Sequence, residues 1–295
     1  SFPIWEIFLT TRIFIGLAVS GVAAVAMTYI GEEIAQKDIG LAMGLYISGT
    51  AIGGMGGRLI AGVLVDFISW QSATYIIGFI NLIIACLFYL LLPKSQHFQP
   101  YPFRFSRFKA AFEQNLKDRK LRILFAEGFI LMGCLVTVFN YISYHLLEAP
   151  FQLSQSWIGL ISIAYLAGIY SSSKAAQWSF KYGRDKVLPL MLLMMMAGLL
   201  ITLIPALWAI LLGLIIFAFA FFAAHSTASS WVSVQAIQYR AVAASLYLFC
   251  YYIGSSLLGS SGGLIWENFG WIGINLSVVL VLAFGLILSI HLKAL

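Results

Sequence analysis

Five Arg, Lys, Glu or His side chains stand away from the ends of apolar runs in this 295-residue chain: Arg12, Arg58, Glu127, Lys174 and His225. Within hydrocarbon such groups are expensive, turn toward a cavity or a partner, and mark ion or substrate paths. Arg12 follows the interfacial Trp5 by about 10 Å of helix at 1.5 Å per residue. Arg58 lies at a similar depth from the end of its own run. Two cations at one level do not pair with each other, so each is expected to face an aqueous cavity and attract anionic or polar groups; snorkelling along a long stem is the structural alternative. Glu127 and Lys174 sit equally deep from same-side ends of antiparallel neighbours, which makes an ion pair reasonable. That pair reads as a structural or gating clamp, with a proton site at Glu127 as the other reading. His225, in FFAAHSTASS, titrates near neutral pH in its unperturbed form, while a hydrogen bond beside Ser and Thr is the simpler role. Asn140, Tyr141 and Tyr144 crowd one run and Tyr247, Tyr251 and Tyr252 another. Tyr247 and Tyr251 share a helix face at i, i+4 and would form a substrate-lining wall; packing or an interfacial belt is the alternative.

The elements that carry these residues are membrane helices. Hydrophobic residues make up 61% of the chain and charged residues 9%, with a mean hydropathy of +0.95, against about 45–50% and about 25% in ordinary soluble domains. Apolar runs of about 20 residues recur along the chain and predict an all-α polytopic membrane protein. Nine spans are expected, at 5–30, 41–65, 72–93, 123–147, 157–179, 187–204, 207–230, 243–265 and 271–291. Cys86, Cys134 and Cys250 fall inside these runs as small hydrophobes, and no spacing suggests a metal site, a disulfide framework or a cofactor. The polar segment 94–122 holds eight of the 17 Lys and Arg, and KYGRDK adds Lys181, Arg184 and Lys186. Lys37, Arg240 and Lys293 flank span ends on the same side, and the opposite loops carry no base. The positive-inside rule therefore places 94–122 in the cytoplasm.

A gapless internal repeat organises the spans. GLYISGTAIGGMGGRLIAGVLVDFISW (44–70) lies over SLYLFCYYIGSSLLGSSGGLIWENFGW (245–271). Tyr46 matches Tyr247, Gly53 matches Gly254, Gly62 matches Gly263, Trp70 matches Trp271, and Asp66 meets Glu267. Parallel repeats of membrane helices are a signature of secondary transporters. Two halves of six spans would make 1–93 the last three spans of a first half, 94–122 a basic linker and 123–295 a complete second half. About three spans are then expected to precede Ser1; a naturally nine-span protein is the alternative.

Six plus six spans joined by a basic loop resemble the major facilitator superfamily, and the motifs resemble its bacterial drug/proton antiporter and sugar-efflux branch. The antiporter signature G-x8-G-x3-G-P-x2-G-G is matched by Gly44, Gly53 and Gly57, then Arg58 where Pro is usual, then Ala61 and Gly62. Arg12, Gly16, Ala18 and Gly21 look like the preceding span of that branch. Lys181, Gly183 and Arg184 look like its degenerate cytoplasmic loop, with Phe180 where an Asp is usual. The resemblance implies a two-half helical bundle in a bacterial inner membrane, a small-molecule substrate, protons as the coupling ion, a monomer, and no nucleic-acid partner. It also implies a link between the position of Arg12 and proton transfer; since Arg stays protonated, its role would be to tune a neighbouring acid or organise water. Gly44, Gly53, Gly57, Gly62, Gly254 and Gly263 also have a packing reading, because small residues at such spacing let helices approach closely.

Proton-coupled efflux by alternating access is the function these residues favour. A nutrient or metabolite symporter or facilitator is the nearest alternative. A membrane-embedded enzyme would need clustered acids, a nucleophile with its base, or metal ligands, and the sequence contains no HExxH or CxxC. A non-transporting sensor would be expected to carry an appended signalling domain.

Overall fold

The computed structural model describes residues 5–34, 39–96, 105–236 and 239–294, and every regular element among them is helical. The helices are α1 Trp5–Glu33, α2 Ile39–Phe67, α3 Trp70–Leu91, α4 Phe105–Lys117, α5 Arg119–Leu147, α6 Gln155–Leu160, α7 Tyr165–Tyr182, α8 Arg184–Ile201, α9 Leu207–Gln235 and α10 Arg240–Ala294. A 3-10 turn, Ile161–Ala164, joins α6 to α7. A 29-residue helix is about 43 Å long, enough for the ~30 Å hydrocarbon core. At 55 residues α10 is about twice that length, and its helical geometry breaks at Gly270 (φ 57°, ψ −150°) into two limbs. Counting both limbs and joining α6 to α7, the described residues supply nine passages. The exception is α4, short and polar, which falls in the expected linker; residues 97–104 of that linker lie outside the described residues.

The chain divides into two compact units, Ser1–Pro102 and Phe103–Leu295. In the first, Ser69 caps α3 by accepting from the Ser72 N–H at 3.3 Å, just before the exposed Trp70. Tyr29 donates to the Pro93 carbonyl at 3.1 Å, and Glu33 accepts from the Gln96 N–H at 2.9 Å and from the Ser95 hydroxyl.

In the second unit α10 packs mainly on α5, while α9 packs on α7 and α8. Each contact is built on small residues, as expected where lipid gives helices no hydrophobic drive to associate. A Cβ on Gly254 would stand 2.7 Å from the Phe129 carbonyl carbon and 2.8 Å from its Cα, so backbone meets backbone there. Gly198 and Gly213 do the same between α8 and α9: a Cβ on Gly198 would lie 2.7 Å from the Gly213 oxygen. Hydroxyl bonds join α7 to α9, with Ser171 donating to the Phe219 carbonyl at 2.7 Å and Ser179 sharing a 3.3 Å bond with Thr227. Asp118 ties the start of α5 to α9. One carboxylate oxygen caps the helix by accepting from Lys120 and Leu121 N–H at 2.8 and 3.1 Å, and the other accepts from Gln235 at 2.9 Å.

The repeat shift carries the helix boundaries as well as the sequence. It takes Ile39, the start of α2, to Arg240, the start of α10. It takes the break before α3 to Phe269–Gly270, and Trp70 to Trp271. Within their own units the two copies of the glycine motif differ in how closely they are packed. No atom lies within 4 Å of where a Cβ would sit on Gly53 or Gly57, because that stripe of α2 is exposed within its unit. Gly62 is buried, and the surroundings of Gly44 fall outside the described residues. In the other copy Gly254 is in backbone contact, and Gly263 has the Tyr141 hydroxyl 3.4 Å from its Cβ position.

Candidate functional site

The second unit holds a polar cluster in its interior. Glu127 on α5 has no exposed surface, and neither carboxylate oxygen has a hydrogen-bond partner. The carboxylate lies against the second limb of α10, with Oε2 3.3 Å from where a Cβ on Gly285 would stand. Any larger residue at 285 would press on it. Adjacent Gly128 leaves room for the ring of Tyr247, since a Cβ there would be 2.8 Å from the Tyr247 Cε2. The Tyr247 hydroxyl in turn shares a 2.9 Å hydrogen bond with His225 Nδ1 on α9. One chain of contacts thus runs from α5 through α10 to α9.

His225 sits in an aromatic cage. Its ring stacks at 6.0 Å on Phe221 and 5.7 Å on Tyr247, and lies 4.6 Å from Tyr251. Tyr165 extends the cage, edge-on to Phe139 at 4.8 Å and to Phe222 at 5.6 Å. The 2.9 Å bond to Tyr247 joins α9 to α10, so His225 makes a helix–helix hydrogen bond, and its partner is a tyrosine rather than the following Ser and Thr. Residues one and two apart on a helix do not face each other, and Ser226 and Thr227 turn to α7, bonding the Ser172 carbonyl and Ser179.

The Glu127–Lys174 ion pair is not formed. Glu127 points to α10, while Lys174, half-buried on α7, reaches Gln177 Oε1 at 3.5 Å. The two spans follow each other in the chain but pack mainly on other helices: α5 on α9 and α10, and α7 on α8 and α9. Arg12 on α1 is exposed and Arg58 on α2 is half-buried, both within the first unit. Toward the other end of α5, Tyr141 donates to the Gly259 carbonyl at 3.0 Å and stacks on Trp266 at 6.2 Å. Exposed Asn140 lies one residue before it. In the loop motif, Gly183 joins α7 to α8 at φ 89° and ψ 140°, a conformation suited to glycine. Lys181 lies 5.1 Å over the Tyr182 ring, and the Arg184 Nε is buried without a hydrogen-bond partner.

Gly128, Gly285, Tyr165 and Phe221 belong to this cluster and were not singled out from the sequence. The signal for Gly128 was the Glu-Gly pair itself, a charge beside the smallest residue inside an apolar run. The arrangement offers an acid shut away from water beside a hydrogen-bonded Tyr–His pair. Such a group can hold a proton in one conformation and release it in another that admits water. Among the described residues no group of His, Cys, Asp and Glu could hold a metal ion.

The model of the Major Facilitator Superfamily matches residues 1–259. The chain belongs to that family of membrane transporters. It is 47% identical over 288 residues to the "Inner membrane transport protein YnfM" of Escherichia coli (strain K12), covering 98% of this chain and 69% of the relative. It is 41% identical over 287 residues to an MFS-type transporter, YybF, of Bacillus subtilis (strain 168), covering 97% and 71%. Solved structures share the fold. The transporter FucP in its outward conformation matches with a TM-score of 0.61 at 17% identity, over 91% of this chain and 72% of that one. A bacterial homologue of the human lysosomal transporter Spinster matches with a TM-score of 0.61 at 16% identity, over 91% and 73%.

Proposed function

We propose that this transporter is a secondary active exporter, coupling proton entry to efflux of a small molecule by alternating access in a bacterial inner membrane. The buried, unpartnered carboxyl of Glu127 carries the reading. A carboxylate without partners in a low-dielectric interior costs several kcal/mol more than the neutral acid, so proton binding and access to water become linked at this position. Tyr247 and His225 hold the neighbouring helices around it, and Arg12 and Arg58 supply charge to the first unit. The antiporter-like glycine pattern favours export, and the basic loops favour a cytoplasmic 94–122 segment. The name of the Escherichia coli relative agrees with an inner-membrane location.

The test uses everted vesicles energised to an inside-acid state, with fluorescence dequenching read as candidate solutes such as arabinose and ethidium are added. Wild type should release protons on addition of a transported solute. Glu127→Gln, which fixes the neutral form, should lose that release and keep solute exchange at zero gradient. Full proton coupling in Glu127→Gln would overturn the assignment of the proton site. Solute uptake driven by the opposite gradient would replace export with symport.

A further inference from the structure

We propose that the groove between α5 and the two limbs of α10 is a binding site for an anionic phospholipid, with Arg122 holding the headgroup phosphate and the apolar walls holding an acyl chain. The groove has a volume of about 650 Å³ and is lined by Leu116, Phe125, Phe129, Leu280 and Phe284 among other apolar residues, with Arg122 as its one charged side chain. From Arg122 to Ile130 it follows α5 for about 12 Å. A trench of this composition on a membrane helix bundle gives water almost nothing to bond and suits a hydrocarbon tail. Arg122 is exposed and has no acidic partner at ion-pair distance among the described residues. A guanidinium at the end of an apolar trench matches a phosphate, which it can bind with two parallel hydrogen bonds.

A second observation places this end of the groove at the headgroup level. On α4, Phe105, Phe108, Phe112 and Leu116 fall on one helix face and remain 69%, 46%, 38% and 37% exposed, while Ala111 and Asn115 are buried. Lys109 and Lys117 lie on the same short helix, and Arg119 and Lys120 follow. A helix with a Phe-rich face and basic residues lies in the membrane interface and favours anionic lipid. Leu116 belongs both to that face and to the groove wall, so an interfacial α4 brings the trench to the acyl boundary and Arg122 to the phosphates. The site is independent of the direction of transport.

Delipidated protein titrated with phosphatidylglycerol or phosphatidylcholine, with bound lipid counted by native mass spectrometry, tests the site. Wild type should retain phosphatidylglycerol in preference to phosphatidylcholine. Arg122→Gln should lower that preference about five-fold, the ~1 kcal/mol of one basic residue at an anionic surface. Leu280→Trp, at a position 71% exposed, should obstruct the trench and lower retention of both lipids. Melting curves without lipid should match for all three proteins. Equal preference in wild type and Arg122→Gln would overturn the proposal. So would a loss produced by Lys117→Gln/Arg119→Gln/Lys120→Gln but not by Arg122→Gln, which would indicate surface attraction only. A Leu280→Trp protein that changes oligomeric state with lipid retention unaltered would assign the trench to a second copy instead.

Discussion

Gly53 and Gly254 occupy equivalent places in the repeat, and their replacement by alanine should have opposite consequences. At Gly254 the added methyl would meet three backbone atoms of Phe129, with its carbonyl carbon and Cα at 2.7 and 2.8 Å and its oxygen closer still. No rotamer change relieves a clash with backbone, so α10 must move off α5. That motion also disturbs Gly133, where a Cβ would lie 2.9 Å from the Gly254 oxygen. Overpacking of this kind costs about 1–3 kcal/mol, against up to ~1 kcal/mol returned by the better helix propensity of alanine. A net loss of about 1–2 kcal/mol corresponds to a melting temperature lower by about 2–8 °C for a unit of this size. At Gly53 nothing lies within 4 Å, so only the propensity gain remains, and the melting temperature should hold or rise slightly. Size-exclusion chromatography after a temperature ramp in detergent reads both. Equal melting of Gly254→Ala and wild type, or a drop confined to Gly53→Ala, would refute the packing argument.

Asp118→Ala should destabilise by about 1–2 kcal/mol through loss of the α5 cap, with Asp118→Asn milder because its amide oxygen can still accept; detergent melting curves measure both. Tyr247→Phe should lower stability by about 0.5–1.5 kcal/mol, since it removes the hydrogen bond to the half-buried His225, and the same melts check it. Gly183→Ala should cost about 1–3 kcal/mol, forcing a side chain into a positive-φ conformation, visible as a lower unfolding midpoint. Glu127→Leu should raise the melting temperature, because an apolar residue replaces an unpartnered buried acid, while abolishing solute-induced proton release in vesicles.

The helical segments and the break at Gly270 were legible in the sequence, because hydropathy and a constant repeat spacing fix where a chain must run and turn. The repeat-matched tryptophans differ, Trp70 being exposed and Trp271 buried against Thr202 and His145. Partner choice was not legible. Depth along a helix follows from counting residues, but which helices pack together does not, and Glu127 and Lys174 fail to meet because α5 packs mainly on α9 and α10 rather than on α7. The same limit separated His225 from Tyr247: both were picked out as candidates, yet their contact depends on how α9 meets the first limb of α10. The hydroxyls nearest His225 in sequence point elsewhere because successive helical residues are turned by about 100°.

The repeat conserves backbone path while dividing chemistry between its copies, and position 58 shows why the division is physical. Its counterpart Gly259 accepts the Tyr141 hydroxyl at its carbonyl, and a Cβ there would already stand 3.0 Å from Val136. An arginine stem has no room at that crossing without displacing α5. In α2 the flanking Gly56 and Gly57 have no atom within 4 Å of their Cβ positions, and the half-buried Arg58 is accommodated. One copy has its glycines closed into a tight helix crossing; the other has the open face on which a charge can sit. The two copies thus share a backbone path and differ in what surrounds it: Gly254 and Gly259 close the crossing of α10 on α5, while Arg58 stands beside the exposed Gly57 of α2.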